Sequence, residues 1–372
     1  MNMIFKVASI FVMSLMMITV VGCSDGKTVE SNDVAEEAID EIRVVDCSER
    51  EVVLKSEAKR IVDLTYLEGV RTLIQLGAED RLVGMSANDH HGFMADGPLK
   101  SVYKTAINVA PELKDLPNVG SYKEPNIEKI IDLKPDLIFV LWDKKEYADT
   151  LSKQLNVPVM CVGGYGSFNL EMFNAVGKAI GKEDRAVGLI EFTRERIERI
   201  TDITDNIPTE EKKRIFYWIR TLGDPQTNGR YEAFELAGAM NVAAEGNLIP
   251  YGKYKTTIEQ VVKWNPDVIL RQTATIGDVE GFNTIEIIKE NQIIKSVEAI
   301  KNNDIFPTKG QMRGYDVATE LTEVYYIAKL LYPDEFKDLD VAKEGDEIMK
   351  EFYNGDGLYT KMSDELGFYE WE

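Results

Sequence analysis

The 372-residue chain has almost no histidine: His90 and His91, side by side, are all there is. Histidine is the usual general base near neutral pH and the commonest metal ligand, so a histidine-built metal centre and most acid–base enzymes are excluded at the outset. Cysteine is nearly as scarce, and Cys23, Cys47 and Cys161 lie too far apart for a CxxC pair. Positive charge is in deficit, with 43 Lys and Arg against 64 Asp and Glu and a net charge of −21. Nucleic-acid backbones are held by clustered cations, so no nucleic-acid partner is expected. The chain also lacks GxGxxG, GxxxxGK[ST], GxSxG and HExxH strings, which removes the usual signatures of nucleotide, hydrolase and zinc-protease sites. What remains is globular in composition, 44% hydrophobic and 29% charged, and long enough for two domains with cores of their own.

The first segment reads as an address. Lys6 precedes an uncharged, mostly apolar run from Val7 to Val21, somewhat short for a membrane span. The run ends Val20-Val21-Gly22-Cys23, which resembles the lipobox of bacterial-type lipoproteins: a small residue before a cysteine whose thiol accepts the lipid. Residues 1–22 are then a signal peptide, and Cys23 is the lipidated residue. Ser24 to Asp40 carries six acidic residues against one lysine and no apolar period, so residues 23–40 read as a flexible acidic tether. The protein is expected to be exported and lipid-anchored at the outer face of the cell membrane, or on its periplasmic side. Cys161, inside an apolar run, reads as a small core residue, and no disulfide to Cys47 is expected.

The body of the chain repeats itself once. Asn126-Ile-Glu-Lys-Ile-Ile-Asp-Leu-Lys-Pro-Asp-Leu-Ile-Phe139 aligns without a gap to Thr257-Ile-Glu-Gln-Val-Val-Lys-Trp-Asn-Pro-Asp-Val-Ile-Leu270. Each copy predicts a short helix, a Pro-Asp turn with extended geometry before the proline, and a buried strand. Upstream of each lies an apolar strand opening with Arg-Ile, 60–65 and 214–219, followed by a helix, and Thr65-x-x-Glu68 predicts a capping box on the first of these. The first half continues as strand 81–86, helix 126–133, strand 136–141, helix 145–155 and strand 157–162, with a β-hairpin before it over 42–54. Continuous apolar strands alternating with helices predict parallel sheets covered on both faces. The fold class is therefore α/β, two Rossmann-like lobes (41–182 and 207–372) joined by one helix over 183–206 with a ligand cleft between them. A helix of that length spans roughly 33 Å and acts as a strut that limits hinge motion.

These segments, together with Leu76-Gly-Ala-Glu-Asp-Arg-Leu-Val-Gly84, Leu116-Pro-Asn-Val-Gly120 and Val176-Gly-Lys-Ala-Ile-Gly181, resemble the substrate-binding lipoproteins of ABC importers for ferric siderophores, haem and cobalamin. The resemblance runs from about Ile42 to Phe352 and departs from the family over residues 86–115, a longer loop beside the expected cleft mouth. It implies a monomeric, non-catalytic receptor without cofactor or resident metal, which captures a metal chelate and delivers it to a permease with a cytoplasmic ATPase. It also implies that Glu128 and Glu259, at matching places in the two repeats, dock onto the two permease subunits.

Ligands of open α/β sheets bind at the carboxyl ends of the strands. Those ends offer Tyr66, a loop with His90 and His91, Trp142 and Tyr165 in the first lobe. In the second they offer Arg220, Tyr251, Arg271 following its strand, Arg313 and Tyr315. Aromatic faces and arginine forks suit a large anionic chelate, most of all an iron–siderophore complex. His90 and His91, in extended geometry, would point opposite ways, so at most one faces the cleft. Haem or cobalamin are the alternative ligands, and a membrane-anchored hydrolase or chelatase is the rival of another class.

Overall fold

A computed structural model describes residues 41–94, 105, 108–164, 168–219, 224–244, 253–272, 284–310 and 316–371. The chain opens with an antiparallel hairpin, β1 (Ile42–Val45) and β2 (Glu51–Leu54). The first lobe follows as β3 (Ile61–Leu64), α1 (Glu68–Gln75), β4 (Leu82–Met85), α2 (Ala87–Met94), α3 (Ile127–Leu133), β5 (Leu137–Leu141), α4 (Lys145–Leu155), β6 (Val159–Val162) and α5 (Glu171–Ile180). The connecting helix α6 runs from Glu183 to Thr204 over 22 residues. The second lobe comprises β7 (Arg214–Trp218), β8 (Gln226–Asn228), α7 (Glu232–Leu236), β9 (Met240–Asn241), β10 (Lys253–Lys255), α8 (Ile258–Trp264), β11 (Val268–Gln272), α9 (Thr284–Glu290), α10 (Glu298–Lys301) and β12 (Ile305–Thr308). The last helices are α11 (Val317–Leu331), α12 (Val341–Tyr353) and α13 (Leu358–Leu366).

Each lobe holds a four-stranded parallel sheet, ordered β4-β3-β5-β6 in the first and β9-β7-β11-β12 in the second. The orders superimpose strand for strand, as the sequence repeat requires. The repeat extends to its hydrogen bonds. The Arg60 guanidinium donates to the carbonyls of Leu133 and Lys134, and Arg214 donates to those of Trp264 and Asn265. Asp136 accepts from the Arg60 N–H at 2.9 Å, and Asp267 accepts from the Arg214 N–H at 2.9 Å. Asn126 and Thr257 cap α3 and α8 with their side chains. One local expectation fails: the residues before the two prolines, Lys134 (φ 48°) and Asn265 (φ 45°), are left-handed helix caps and not extended. A helix C-terminus closed by a left-handed residue outweighs the extended bias of the pre-proline position.

Alternation along the strands covers both sheet faces. Ile61, Leu137, Phe139 and Met160 enter one core cluster, and Val62, Ile138, Val140 and Cys161 enter another on the opposite face. The first cluster is continuous through α6 and α11 to Ile215, Tyr217 and Leu270 of the second sheet, so the lobes share one apolar core. Burial at this density makes Phe139 a core residue whose truncation would cost about 3–5 kcal/mol. Cys161 is buried as expected, and Cys47 and Cys161 are free thiols, the Cys47 Sγ donating to the Cys161 carbonyl at 2.9 Å.

Candidate functional site

At the carboxyl end of the first sheet, β3 turns into α1 through Thr65, Tyr66 and Leu67. The expected capping box on Thr65 does not form, because the helix starts two residues later. Glu68 accepts from the Tyr66 N–H at 2.7 Å, Thr65 Oγ1 accepts from the Gly69 N–H at 3.0 Å, and Leu67 occupies the N-cap. Leu67 sits at φ 74°, a left-handed conformation costing roughly 1–2 kcal/mol for a residue with a Cβ. Asp89 offsets that strain by accepting from the Leu67 N–H at 2.6 Å, and Asp63 accepts from the Thr65 hydroxyl at 2.9 Å and the Val70 N–H at 3.2 Å. Burial raises the Asp63 and Glu68 carboxyls to about 7, against the hydrogen bonds they accept. Burial, then the neighbouring Asp63, holds Asp89 well above the usual range. Three buried carboxyls thus hold the turn that sets Tyr66, half-buried, at the strand end.

Trp142, half-buried after β5, lies beside the same turn. A Cβ at Gly163, whose φ is 100°, would come within 3.0 Å of Glu68 Cγ and 3.7 Å of Trp142 Cδ1. Only glycine lets the exit of β6 approach this closely. His90 and His91 are not in an extended loop but on α2, a helix begun by a reciprocal pair: the Asp89 N–H donates to Ser86 Oγ at 3.2 Å and the Ser86 N–H to Asp89 Oδ2 at 3.1 Å. Ser86-x-x-Asp89 was the signal in the sequence for that start. Their side chains therefore leave the helix about 100° apart; His90 is half-buried and His91 exposed.

At the carboxyl end of the second sheet, Arg271 lies within β11 and not after it, 1% exposed, its guanidinium donating to the Ile219 carbonyl at 3.5 Å. Around it are buried groups that sequence reasoning missed. Gln272 pairs in register with Thr308 at the end of β12, followed by Lys309 and Gly310. Glu323 on α11 accepts from the Thr308 hydroxyl, from the Lys309 N–H at 3.2 Å and from the Gly310 N–H at 3.1 Å. Gly310, at φ 58°, packs against the Tyr217 ring where a Cβ would collide. One turn before Glu323, Glu320 is raised to about 8 by burial, with Asp316, Glu232 and Glu323 adding and Lys309 opposing. β12 was hidden in the sequence by Pro307, which is tolerated here because β12 is the sheet edge.

The lobes touch at two places. The Gln75 amide of α1 donates to Asp316 at 2.9 Å, and Arg71 Nε lies 3.9 Å from the same carboxylate. Past β6, the Phe168 N–H donates to Glu232 of α7 at 2.6 Å. Among the described residues, no group of three or more His, Cys, Asp or Glu could hold a metal ion. Tyr165, Arg220, Tyr251, Arg313, Tyr315 and Cys23 lie outside the described residues, as does most of the 86–115 departure after α2. Glu128 and Glu259 are exposed in the first turns of α3 and α8, each two residues after the cap.

Two like lobes of parallel sheet joined by one connecting helix are the architecture of a two-lobed solute receptor. Residues 63–312 match the Periplasmic binding protein family, and the chain belongs to it. The molybdate-binding protein MolA of Haemophilus influenzae is 26% identical over 83% of this chain and 90% of its own. The MolA structure with bound molybdate has a TM-score of 0.66 at 22% identity, covering 84% of this chain and 98% of that one. In Bacillus subtilis, the uncharacterized ABC transporter substrate-binding lipoprotein YvrC is 25% identical over 80% of this chain and 87% of its own. The Fe(3+)-citrate-binding protein YfmC of the same organism is 23% identical over 82% and 89%. The chain is a solute-binding protein of the ABC-transporter kind, extracytoplasmic and, at the level of its family, not an enzyme.

Proposed function

We propose that this protein captures an anionic metal chelate, foremost a ferric siderophore-type complex, between its lobes and hands it to an ABC permease driven by a cytoplasmic ATPase. One observation carries the proposal: half-buried aromatics, Tyr66 and Trp142, end the strands of one lobe, and buried cations, Arg271 and Lys309, end those of the other. Rings stack on the apolar face of a chelate while buried cations pair with its oxygens. Tyr165, Arg220, Tyr251, Arg313 and Tyr315 complete the wall in this proposal, with His90 at its edge and His91 outward. Lipid on Cys23 anchors the chain. Glu128 and Glu259 dock it, because two matched carboxylates on a pseudo-twofold receptor suit a pair of related permease subunits.

Titration with ferric siderophores, ferric citrate, haem and corrinoids tests the ligand. One class should quench tryptophan fluorescence with Kd below about 10 μM, or about −7 kcal/mol, and Trp142→Phe should lose most of the quench. Failure of every class at that threshold overturns the chelate assignment.

A further inference from the structure

The second lobe carries a knot of buried polar groups with atoms left unmatched among the described residues. Tyr231 precedes α7, Gln272 ends β11, Lys309 follows β12 and Glu320 lies on α11. None is more than 3% exposed. Yet Tyr231 Oη, both amide atoms of Gln272, Lys309 Nζ and Glu320 Oε2 have no hydrogen-bond partner among the described residues. The groups are contiguous: Gln272 is in register with Thr308, next to Lys309; Gly310 packs on the Tyr217 ring, whose centroid lies 6.3 Å from that of Tyr231; and Glu320 lies one turn from Glu323, which takes the Lys309 N–H. Leaving one buried polar group unpaired costs about 1–3 kcal/mol, and native proteins keep few. Glu323, one turn along α11, shows what a settled carboxylate looks like here, with three donors from the exit of β12. The knot also borders the seam between the lobes. Asp316, one turn before Glu320, meets Arg71 and Gln75, and Glu232, beside Tyr231, takes the Phe168 N–H.

We propose that Lys309, Gln272, Tyr231 and Glu320 form a buried subsite for an oxyanion, either a carboxylate arm of a metal chelate or a free mineral oxyanion. The proposal rests on the receptor function proposed above and names the ligand group that enters deepest. Lys309 supplies the charge, and the Gln272 amide and Tyr231 hydroxyl supply directed donors. Glu320, raised to about 8, is protonated at neutral pH and donates as well. The titratable groups facing it are Lys309, Glu323, Asp316, Glu232 and Tyr231, with Tyr217 of β7 behind Tyr231. Above about pH 8, Glu320 ionises and repels the anion, so affinity falls with rising pH. A purely apolar or cationic ligand group would leave the donors unpaired.

The test is a titration of detergent-solubilised full-length protein with two panels. One holds the metal-free oxyanions citrate and molybdate; the other holds ferric citrate, haem and a neutral ferric trihydroxamate. At least one metal-free oxyanion should bind, and Lys309→Met should weaken it about 30-fold or more, the usual loss when a buried charge partner is removed. Glu320→Gln, whose side chain cannot ionise, should abolish the decline in affinity above pH 8. Circular dichroism checks that each variant is folded; if Lys309→Met is not, Gln272→Leu carries the comparison, with an expected loss of about tenfold for one directed donor. Citrate-selective binding assigns the subsite to a carboxylate arm, and molybdate-selective binding to a mineral oxyanion. If neither oxyanion binds the wild type, or the folded variants bind within threefold of it, the subsite is refuted. Binding of oxyanions alone, with every chelate failing, would instead overturn the chelate assignment and leave the subsite standing. Binding of the neutral trihydroxamate alone, unaffected at Lys309, would do the reverse.

Discussion

The two lobes have one topology and two kinds of strand end. In the first lobe three buried carboxyls are spent on the backbone: Asp63, Glu68 and Asp89 each accept N–H donors of the β3–α1 turn, and Asp89 also fastens the start of α2. In the second, Glu323 plays that part, while Lys309, Gln272, Tyr231 and Glu320 are left with polar atoms unmatched among the described residues. A duplicated fold can thus divide labour, with one end acting as a frame that presents aromatics and the other holding polar groups for what enters. Polar groups that build a frame are stabilising, and polar groups reserved for a ligand cost stability until it arrives.

The sharpest way to break this contrast is to delete polar groups on each side. Asp89→Ala strands the N–H groups of Leu67 and Ser86 in a buried turn and should cost about 3–5 kcal/mol in urea unfolding. A loss under about 1 kcal/mol would mean the carboxylate is not structural.

Next in size is the pH dependence. Asp63, Glu68, Asp89, Glu320 and Glu323 are all raised in the folded state, chiefly by burial. Above their unfolded values the folded protein binds more protons than the unfolded chain, so stability falls as pH rises through the folded values. With carboxyls at about 7 in one lobe and about 8 in the other, stability should drop between pH 6 and 8.5 by on the order of 3 kcal/mol. Glu68→Gln should remove the part of the slope near pH 7, and Glu320→Gln the part near pH 8. A flat or rising profile would contradict the protonated state of these groups.

The smallest effect has the opposite sign. Gln272→Leu replaces an unmatched buried amide with an apolar side chain of similar size and should stabilise the ligand-free protein by about 1–2 kcal/mol. Destabilisation would place that amide in the frame and erase the contrast.

Much of the fold was legible because the repeat is written in local chemistry. Pro135 and Pro266 as stops and the Arg-Ile openings at Arg60 and Arg214 hold their places, and the structure adds Asn126 and Thr257 as matching caps of the repeat helices. The α2 helix was not legible because Ala87–Met94 carries no apolar stripe of helical period, and β12 was not because Pro307 reads as a break. At the site, Tyr66, Trp142 and Arg271 could be named from strand ends alone, whereas Lys309, Gln272 and Glu320 could not. A lysine, a glutamine and a helical glutamate look like ordinary surface residues until tertiary packing buries them.

Hydrogen–deuterium exchange of the full-length protein, with and without the chelate that quenches its fluorescence, tests the central claim that the ligand sits between these unlike strand ends. Bound ligand should slow exchange at the β3–α1 turn around Tyr66 and Leu67, and at the β12–α11 exit around Lys309 and Gly310. Protection confined to one lobe, or to surfaces away from both strand ends, would contradict it.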